Sequence, residues 1–173
     1  MYETIEEIDE IQEMLDRSYL NAGKHLRAVL TPDKRLDAKR LCRLLRGVNV
    51  LDLATVSADG KPMVAPVDAL FFHGRFYFGS ADNAARFRHL RTNPYVSGAC
   101  TIGVRFSLIV HGSARLIDTR DEGAEDLHAY FREVYGPEYD DWGYWGQHPH
   151  ARIEPTKLFA TLFDETLLEE HDV

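Results

Sequence analysis

Anion-binding chemistry is concentrated in one short stretch, residues 79–91. A glycine is followed at once by Ser80, and Arg86, Arg88 and Arg91 come soon after it in a helical pattern. A guanidinium group can engage two oxygens of a phosphate, and a hydroxyl can donate a further hydrogen bond. Arginines on a short surface helix can equally form a solvated face that binds nothing. These residue types allow a phosphate site here and leave the solvated face as the alternative.

Turn chemistry in residues 51–94 predicts the elements that would position this stretch. Apolar and β-branched runs are interrupted at Ala58-Asp59-Gly60 and at His73-Gly74, and an Arg-rich helical segment then stops at Asn93-Pro94. Gly60 and Gly74 can take the positive φ that short hairpin turns require. The stretch therefore predicts three strands in a β-meander, followed by a short helix.

Five short motifs follow one another in this stretch. They are Leu53-Ala54-Thr55-Val56, Asp59-Gly60-Lys61-Pro62, Pro66-Val67, Gly79-Ser80 and Leu90-Arg91-Thr92-Asn93-Pro94. In this order and at this spacing they resemble the pyridoxamine 5′-phosphate oxidase-like family, the FMN-binding split β-barrels that also include enzymes of the deazaflavin F420. The resemblance implies a homodimeric oxidoreductase with FMN at the subunit interface and a small molecule as its substrate.

The resemblance also implies which residues contact the cofactor. Ser80 matches the position from which family members bring a hydroxyl to the phosphate, and Arg86 matches their phosphate-binding Lys or Arg. The ring is expected along the second strand, whose backbone groups can satisfy its polar edge, although Pro66 there could be purely structural. The expected cofactor contacts are Val64, Ala65, Pro66, Val67, Ser80, Arg86, Ser107 and Trp145. Ala84 and Ala85 replace polar or basic residues of some flavin-binding members, which predicts weaker phosphate binding.

Two departures argue against pyridoxine phosphate oxidation itself. The oxidase proper has an Arg-x-Val-Leu-Leu-Lys run on the second strand, and the matching residues here run from Ala65 to Leu70 without either basic group. Its C-terminal Arg-x-His element is likewise absent from residues 161–166. Because the flavin itself performs the electron transfer, no catalytic acid or base has to be visible, and none is assigned.

The remaining pattern predicts a mainly β, α+β fold. Thr4-Ile5-Glu6-Glu7 is a capping box before Ile5, Ile8, Ile11 and Leu15, and a second helix is expected over residues 37–46. Further strands are expected at residues 95–101, 106–117 and 157–163, with a helix opened by a capping box at 119–122 and carrying Leu127, Tyr130, Phe131 and Val134. The connections between the first strands are too short for parallel crossovers. We therefore expect an N-terminal helical extension (1–35) and a six-stranded antiparallel split β-barrel with short flanking helices (36–173).

The segment between this helix and the last strand carries two other signals. Tyr135, Tyr139, Trp142, Tyr144 and Trp145 suit a lid that stacks on a planar cofactor or substrate. They could equally pack against the barrel or a dimer partner. His148-Pro149-His150 has imidazoles at a spacing that could bind a metal, but no clustered Cys or third His accompanies them, so no metal is predicted.

Composition limits the partners. A net charge of −8 and a pI near 5.4 disfavour nucleic acid. No run approaches the roughly 18 apolar residues of a membrane span, and the acidic start lacks the basic region of a signal peptide, so a cytoplasmic location is expected. Cys42 and Cys100 are expected to be buried, reduced thiols without chemistry.

Three alternatives to an FMN oxidoreductase stay open at the level of sequence. One is an F420-dependent reductase, whose polyglutamate tail would prefer a basic groove that Lys61, Arg86, Arg88 and Arg91 could form. Another is a non-catalytic flavin or haem protein, with haem disfavoured. The last is a barrel that has lost its cofactor and serves as an interaction module.

Overall fold

The computed structural model describes residues 2–118, 124–137, 139 and 150–170. The helices are α1 (Ile5–Leu20), α2 (Lys24–Val29), α3 (Ala38–Leu44), α4 (Ala85–Leu90), α5 (Glu125–Tyr135) and α6 (Thr166–Glu170), with a 3₁₀ turn at Pro32–Lys34. The strands are β1 (Val48–Val56), β2 (Pro62–Phe72), β3 (Arg75–Gly79), β4 (Tyr95–Ile102), β5 (Phe106–Ile117) and β6 (His150–Leu162). These strands close an antiparallel barrel in the order β1-β2-β3-β6-β5-β4, which confirms the predicted fold class.

The predicted β-meander is confirmed with its turns. Gly60 has a φ of 83° at the β1–β2 turn, and His73 and Gly74 have φ values of 48° and 74° at the β2–β3 turn. Consecutive positive φ values are those of the hairpin turn whose twist matches the strands. Along β1, buried and exposed residues alternate, so one side chain in two enters the core.

Strand β6 is longer than the sequence predicts. It begins at His150 rather than Lys157. The sequence hides this first half, because Arg152 and Glu154 interrupt the apolar alternation and a proline such as Pro155 is unfavourable within a strand. The proline is accommodated at a register shift, where β5 passes from His111 paired with Lys157 to Gly112 paired with Pro155.

Helix α1 packs against β6, which it contacts with two hydroxyl groups. Ser18 Oγ accepts a hydrogen bond of 3.0 Å from the Leu158 N–H. The Tyr19 hydroxyl accepts one of 2.9 Å from the Ala160 N–H and donates one of 2.5 Å to the Ala160 carbonyl. Strand β3 pairs with β6 only from His150 to Ile153, so α1 satisfies polar groups of β6 that β3 does not reach.

The predicted α1 is confirmed, including its capping box at Thr4 and Glu7. Ile11 and Leu15 are buried in the same core as the barrel strands. Ile5, the first residue of the apolar spacing in this helix, is instead 78% exposed. The domain division at residue 35 stays a prediction.

Two other predicted helices are present. Asp37 caps α3 by accepting a hydrogen bond of 2.8 Å from the Arg40 N–H. Helix α5 buries Leu127, Tyr130 and Phe131, as predicted, while the capping box expected at 119–122 lies outside the described residues. Both cysteines are buried free thiols, and burial raises the pKa of Cys42 to about 12, which leaves it unreactive at neutral pH.

Candidate functional site

A cavity of about 780 Å³ opens where the C-terminal end of β3 meets α4, α5 and the start of β6. This volume is within the range of small-molecule and cofactor sites. Its described lining is Pro66, Val67, Asp68, Phe78, Gly79, Arg86, Phe131, Tyr135, Tyr139 and His150. The cavity therefore brings together residues from five separate parts of the chain.

Arg86 is the cation of this cavity. It lies on α4, and its Nη2 donates a hydrogen bond of 3.0 Å to the carbonyl oxygen of Pro66 on β2. Burial lowers the pKa of its guanidinium, which nevertheless remains charged at any physiological pH. Within the described part of the chain, no carboxylate forms a salt bridge with it. A partly desolvated cation whose charge is not compensated by a neighbouring acid is suited to bind an anion.

The other two arginines of the stretch behave differently. Arg91 forms a salt bridge with Asp82, and Arg88 donates a hydrogen bond to the carbonyl of Asn83. Both contacts are made with the loop immediately before α4. The solvated-face interpretation therefore fits Arg88 and Arg91, whereas Arg86 extends across to β2.

The predicted ring-facing segment of β2 borders the same cavity. Strand β2 pairs with β1 from Pro62 to Leu70, but it pairs with β3 only from Ala69 to Phe72. The other edge of residues 62–68 is thus not paired with a strand in the described structure. Pro66 and Val67 line the cavity, while Val64 and Ala65 are exposed next to them. Backbone groups of this edge are placed to contact a ligand in the cavity.

The structure separates the remaining predicted contacts. Ser80 is half-buried and directly follows Gly79, a residue of the cavity wall. Ser107 lies near the start of β5, whereas it is the last residue of β5, Ile117, that pairs with His150 of the cavity. Ser107 is thus not among the described residues that line this cavity. Trp145 lies outside the described residues.

Phe131, Tyr135 and Tyr139 form one side of the cavity, called here the aromatic wall. The rings of Tyr135 and Tyr139 are stacked, with centroids 6.3 Å apart and planes 11° apart. The ring centroid of Phe131 lies 5.9 Å from that of Tyr135 and 5.8 Å from that of Tyr139. Two of these aromatics belong to the segment in which the sequence suggests a lid, and Phe131 was expected only as a core residue.

His150 is the cavity residue that sequence reasoning placed in another role. Its side chain is 1% exposed and packs edge-on against Phe131, with centroids 6.0 Å apart. A Cβ at position 79 would lie only 2.8 Å from the Nε2 of His150. Because Gly79 has no side chain, the imidazole can occupy this space. Gly79 is recognisable in the sequence as part of a motif, but nothing near it indicates that the distant His150 packs against it.

The described residues contain no group of three or more His, Cys, Asp or Glu that could hold a metal ion. His148, the other half of the candidate histidine pair, lies outside them. Likewise, no helix in the described ranges is long and apolar enough to cross a membrane.

A family model described as pyridoxamine 5′-phosphate oxidase matches residues 38–162. The chain belongs to the pyridoxamine 5′-phosphate oxidase family. The match spans the barrel from α3 to the end of β6 and leaves α1 outside it. No curated protein is significantly similar in sequence.

Solved structures share the fold. The haem storage protein HutZ from Vibrio cholerae is 23% identical with a TM-score of 0.60, over 76% of this chain and 94% of that one. A FAD-binding protein from Mesorhizobium loti is 20% identical with a TM-score of 0.55, over 76% and 98%. An F420 reductase is 19% identical with a TM-score of 0.53, over 66% and 92%. Identities this low show a common fold and carry no conclusion about the ligand.

The residues of the cavity fit a flavin nucleotide of the kind this family binds. Arg86 can hold a phosphate, and the open edge of β2 offers backbone donors and acceptors to the polar edge of the ring. Strand β2 has no Lys or Arg that could take the place of the two basic residues of the oxidase proper. Ala65 is small, and Leu70 is fully buried beneath α5.

Proposed function

We propose that this member of the pyridoxamine 5′-phosphate oxidase family is an FMN-binding oxidoreductase that acts on a small molecule other than pyridoxine phosphate. The observation that carries the proposal is Arg86, a partly buried guanidinium that faces the open edge of β2 and forms no salt bridge among the described residues. The cavity beside it is large enough for a cofactor.

In the proposed complex, Arg86 and Ser80 bind the phosphate, and the backbone of residues 64–67 contacts the polar edge of the ring. Bound FMN supplies hydride and electron transfer, while the protein supplies position and excludes water. The hydrogen bond from Arg86 to the Pro66 carbonyl fixes the distance between these two parts of the site. The phosphate would then compensate the charge of Arg86.

A second copy of the chain is proposed to complete the site. Val48 and Val50 on β1 and Val64 on β2 are large apolar residues that remain exposed, and the register of the two strands places all three on the same face. A cluster of this kind favours a symmetric interface. Ser107, remote from the cavity of its own subunit, could then contact the cofactor of the partner. The cytoplasmic location stays a prediction.

Dimerisation is tested with Val50→Asp, because a carboxylate on the exposed apolar face would have to lose its water on association. We expect the wild type to sediment as a dimer and V50D as a monomer at micromolar concentration. Lys39→Asp on α3 is a control of the same kind on an exposed site outside this cluster. A wild type that sediments as a monomer would contradict the proposed interface.

FMN is favoured over F420 by the count of cations. Among the described residues that line the cavity, Arg86 is the only Lys or Arg and Asp68 adds a carboxylate, so a polyglutamate tail would find no second cation there. Selective binding of F420 in a parallel titration would replace FMN in this proposal. A Soret band with haem and no flavin binding would favour a haem carrier.

The phosphate site is tested by titrating cofactor-free protein with FMN and following its fluorescence. Arg86→Ala removes a charge-assisted hydrogen-bonding group, and we expect the Kd to rise about 10- to 100-fold. Arg88→Ala is the matched control, because it removes a guanidinium from the same helix that contacts only the preceding loop. Equal losses in both variants, or none in R86A, would remove Arg86 from the site.

A further inference from the structure

We infer that the aromatic wall of the cavity is a substrate subsite for planar aromatic molecules that carry no negative charge. This inference rests on the proposed function, because it assigns Arg86 to the phosphate of the cofactor. It names the class of substrate that the same cavity would then accept.

The shape of the aromatic wall selects planar molecules. The ring of Tyr135 is stacked on that of the buried Tyr139, the buried Phe131 packs against Tyr139, and His150 packs edge-on against Phe131. Tyr135 is half-buried, so part of its surface faces the cavity. Stacked or offset contact with a ring of this kind favours a flat ligand over a branched aliphatic one.

The charges of the cavity select against anions. Among Lys, Arg, Asp and Glu, the described lining contains one basic residue, Arg86, and one acidic residue, Asp68. Once a phosphate occupies Arg86, the described lining offers no Lys or Arg to a second anion, which would also meet the carboxylate of Asp68. Asp68 is exposed, so this repulsion is weakened by water without being abolished.

The burial of Leu70 explains why position 70 could not supply a second cation. The oxidase pattern ends its basic run where this chain has Leu70, which is 0% exposed and packs in the cluster beneath α5 with Tyr130 and Phe131. A charged side chain there would lose its hydration within an apolar cluster. The same packing that supports the aromatic wall thus removes a site for a substrate phosphate.

The test uses FMN-loaded, full-length protein and three probes with one ring system: quinoline, 1-methylquinolinium and quinoline-6-carboxylate. Binding is measured by calorimetry and by the change in absorbance of the bound flavin. We expect 1-methylquinolinium to bind most tightly and the carboxylate at least tenfold more weakly. In Asp68→Asn, the difference between 1-methylquinolinium and quinoline should disappear.

Tyr135→Ala should raise the Kd of quinoline about tenfold, the upper range for loss of one aromatic contact, while Tyr135→Phe keeps it. The Kd of FMN should stay within twofold in both variants. Phe163→Ala is the control, since it truncates a half-exposed aromatic just beyond the opposite end of β6.

Each failure is distinguishable. Tight FMN binding with a carboxylate probe that binds as well as 1-methylquinolinium would overturn the inference and leave the proposed function standing. Unchanged quinoline binding in Y135A would also overturn the inference alone. A wild type that does not bind FMN would overturn both.

Discussion

Strands β2 and β6 each extend past the short strand β3 that lies between them, but at opposite ends of it. Beyond β3, the edge of β6 is covered by α1, whose Ser18 and Tyr19 hydroxyls bond to the backbone of Leu158 and Ala160. Among the described residues, the corresponding edge of β2 is met by the side chain of Arg86, at the Pro66 carbonyl. An exposed edge has unpaired backbone groups that will bind another chain or a ligand. The first edge is thus sealed by the fold, whereas the second is left open at the place where the cofactor is proposed to bind.

The largest effect is expected from removing the contact between α1 and the barrel. Leu15 is 0% exposed in the core that α1 shares with the strands. Leu15→Ala should lower the free energy of unfolding by about 3 kcal/mol in urea titrations. Leu20→Ala, at an exposed position on the same helix, should change it by less than about 0.5 kcal/mol. Equal values for the two variants would mean that α1 does not stabilise the barrel.

Removing the Tyr19 hydroxyl, which bonds to the edge of β6, should lower the free energy of unfolding by a smaller but measurable amount. Tyr19→Phe keeps the ring and leaves the buried Ala160 N–H without its acceptor. We expect a loss of about 2 kcal/mol in thermal or urea unfolding, because an unsatisfied buried donor retains its desolvation cost. FMN affinity should not change. A loss below about 0.5 kcal/mol would show that water replaces the hydroxyl and that the edge is not sealed.

The smallest effect on stability is expected at the open edge. Arg86→Ala removes a partly exposed hydrogen bond to Pro66, and cofactor-free R86A should unfold within about 0.5 kcal/mol of the wild type. Its loss of FMN affinity would then be a property of the site. A destabilisation as large as that of Y19F would place Arg86 among the residues that hold the fold.

Local chemistry explains what could be predicted from the sequence. The turns at Gly60 and at His73-Gly74 depend on the residues within them, and so do the caps at Thr4 and Asp37. Arg86 was predicted from motif spacing, and its contact with Pro66 now distinguishes it from Arg88.

Features made by distant parts of the chain could not be predicted. Nothing near Tyr19 in the sequence indicates that its hydroxyl pairs with Ala160, and nothing near Gly79 indicates His150. The first half of β6 was missed because its charged residues are paired in the fold: Glu154 accepts hydrogen bonds from Arg152 of the same strand and from Arg75 of β3. These pairings appear only when the strands are in register.

Gly112 has a consequence for how the cavity is assembled. A Cβ at this position would lie 2.1 Å from the carbonyl oxygen of Glu154, so only glycine can stand opposite Pro155 in β5. A slip of β5 by one residue would bring His111 or Ser113 to this point, and a steric collision would replace the present contact. The correct alignment of the two longest strands is thereby selected during folding at a position outside the cavity. Since His150 is paired with Ile117 in that alignment, one missing methyl group at Gly112 determines where the cavity wall is built.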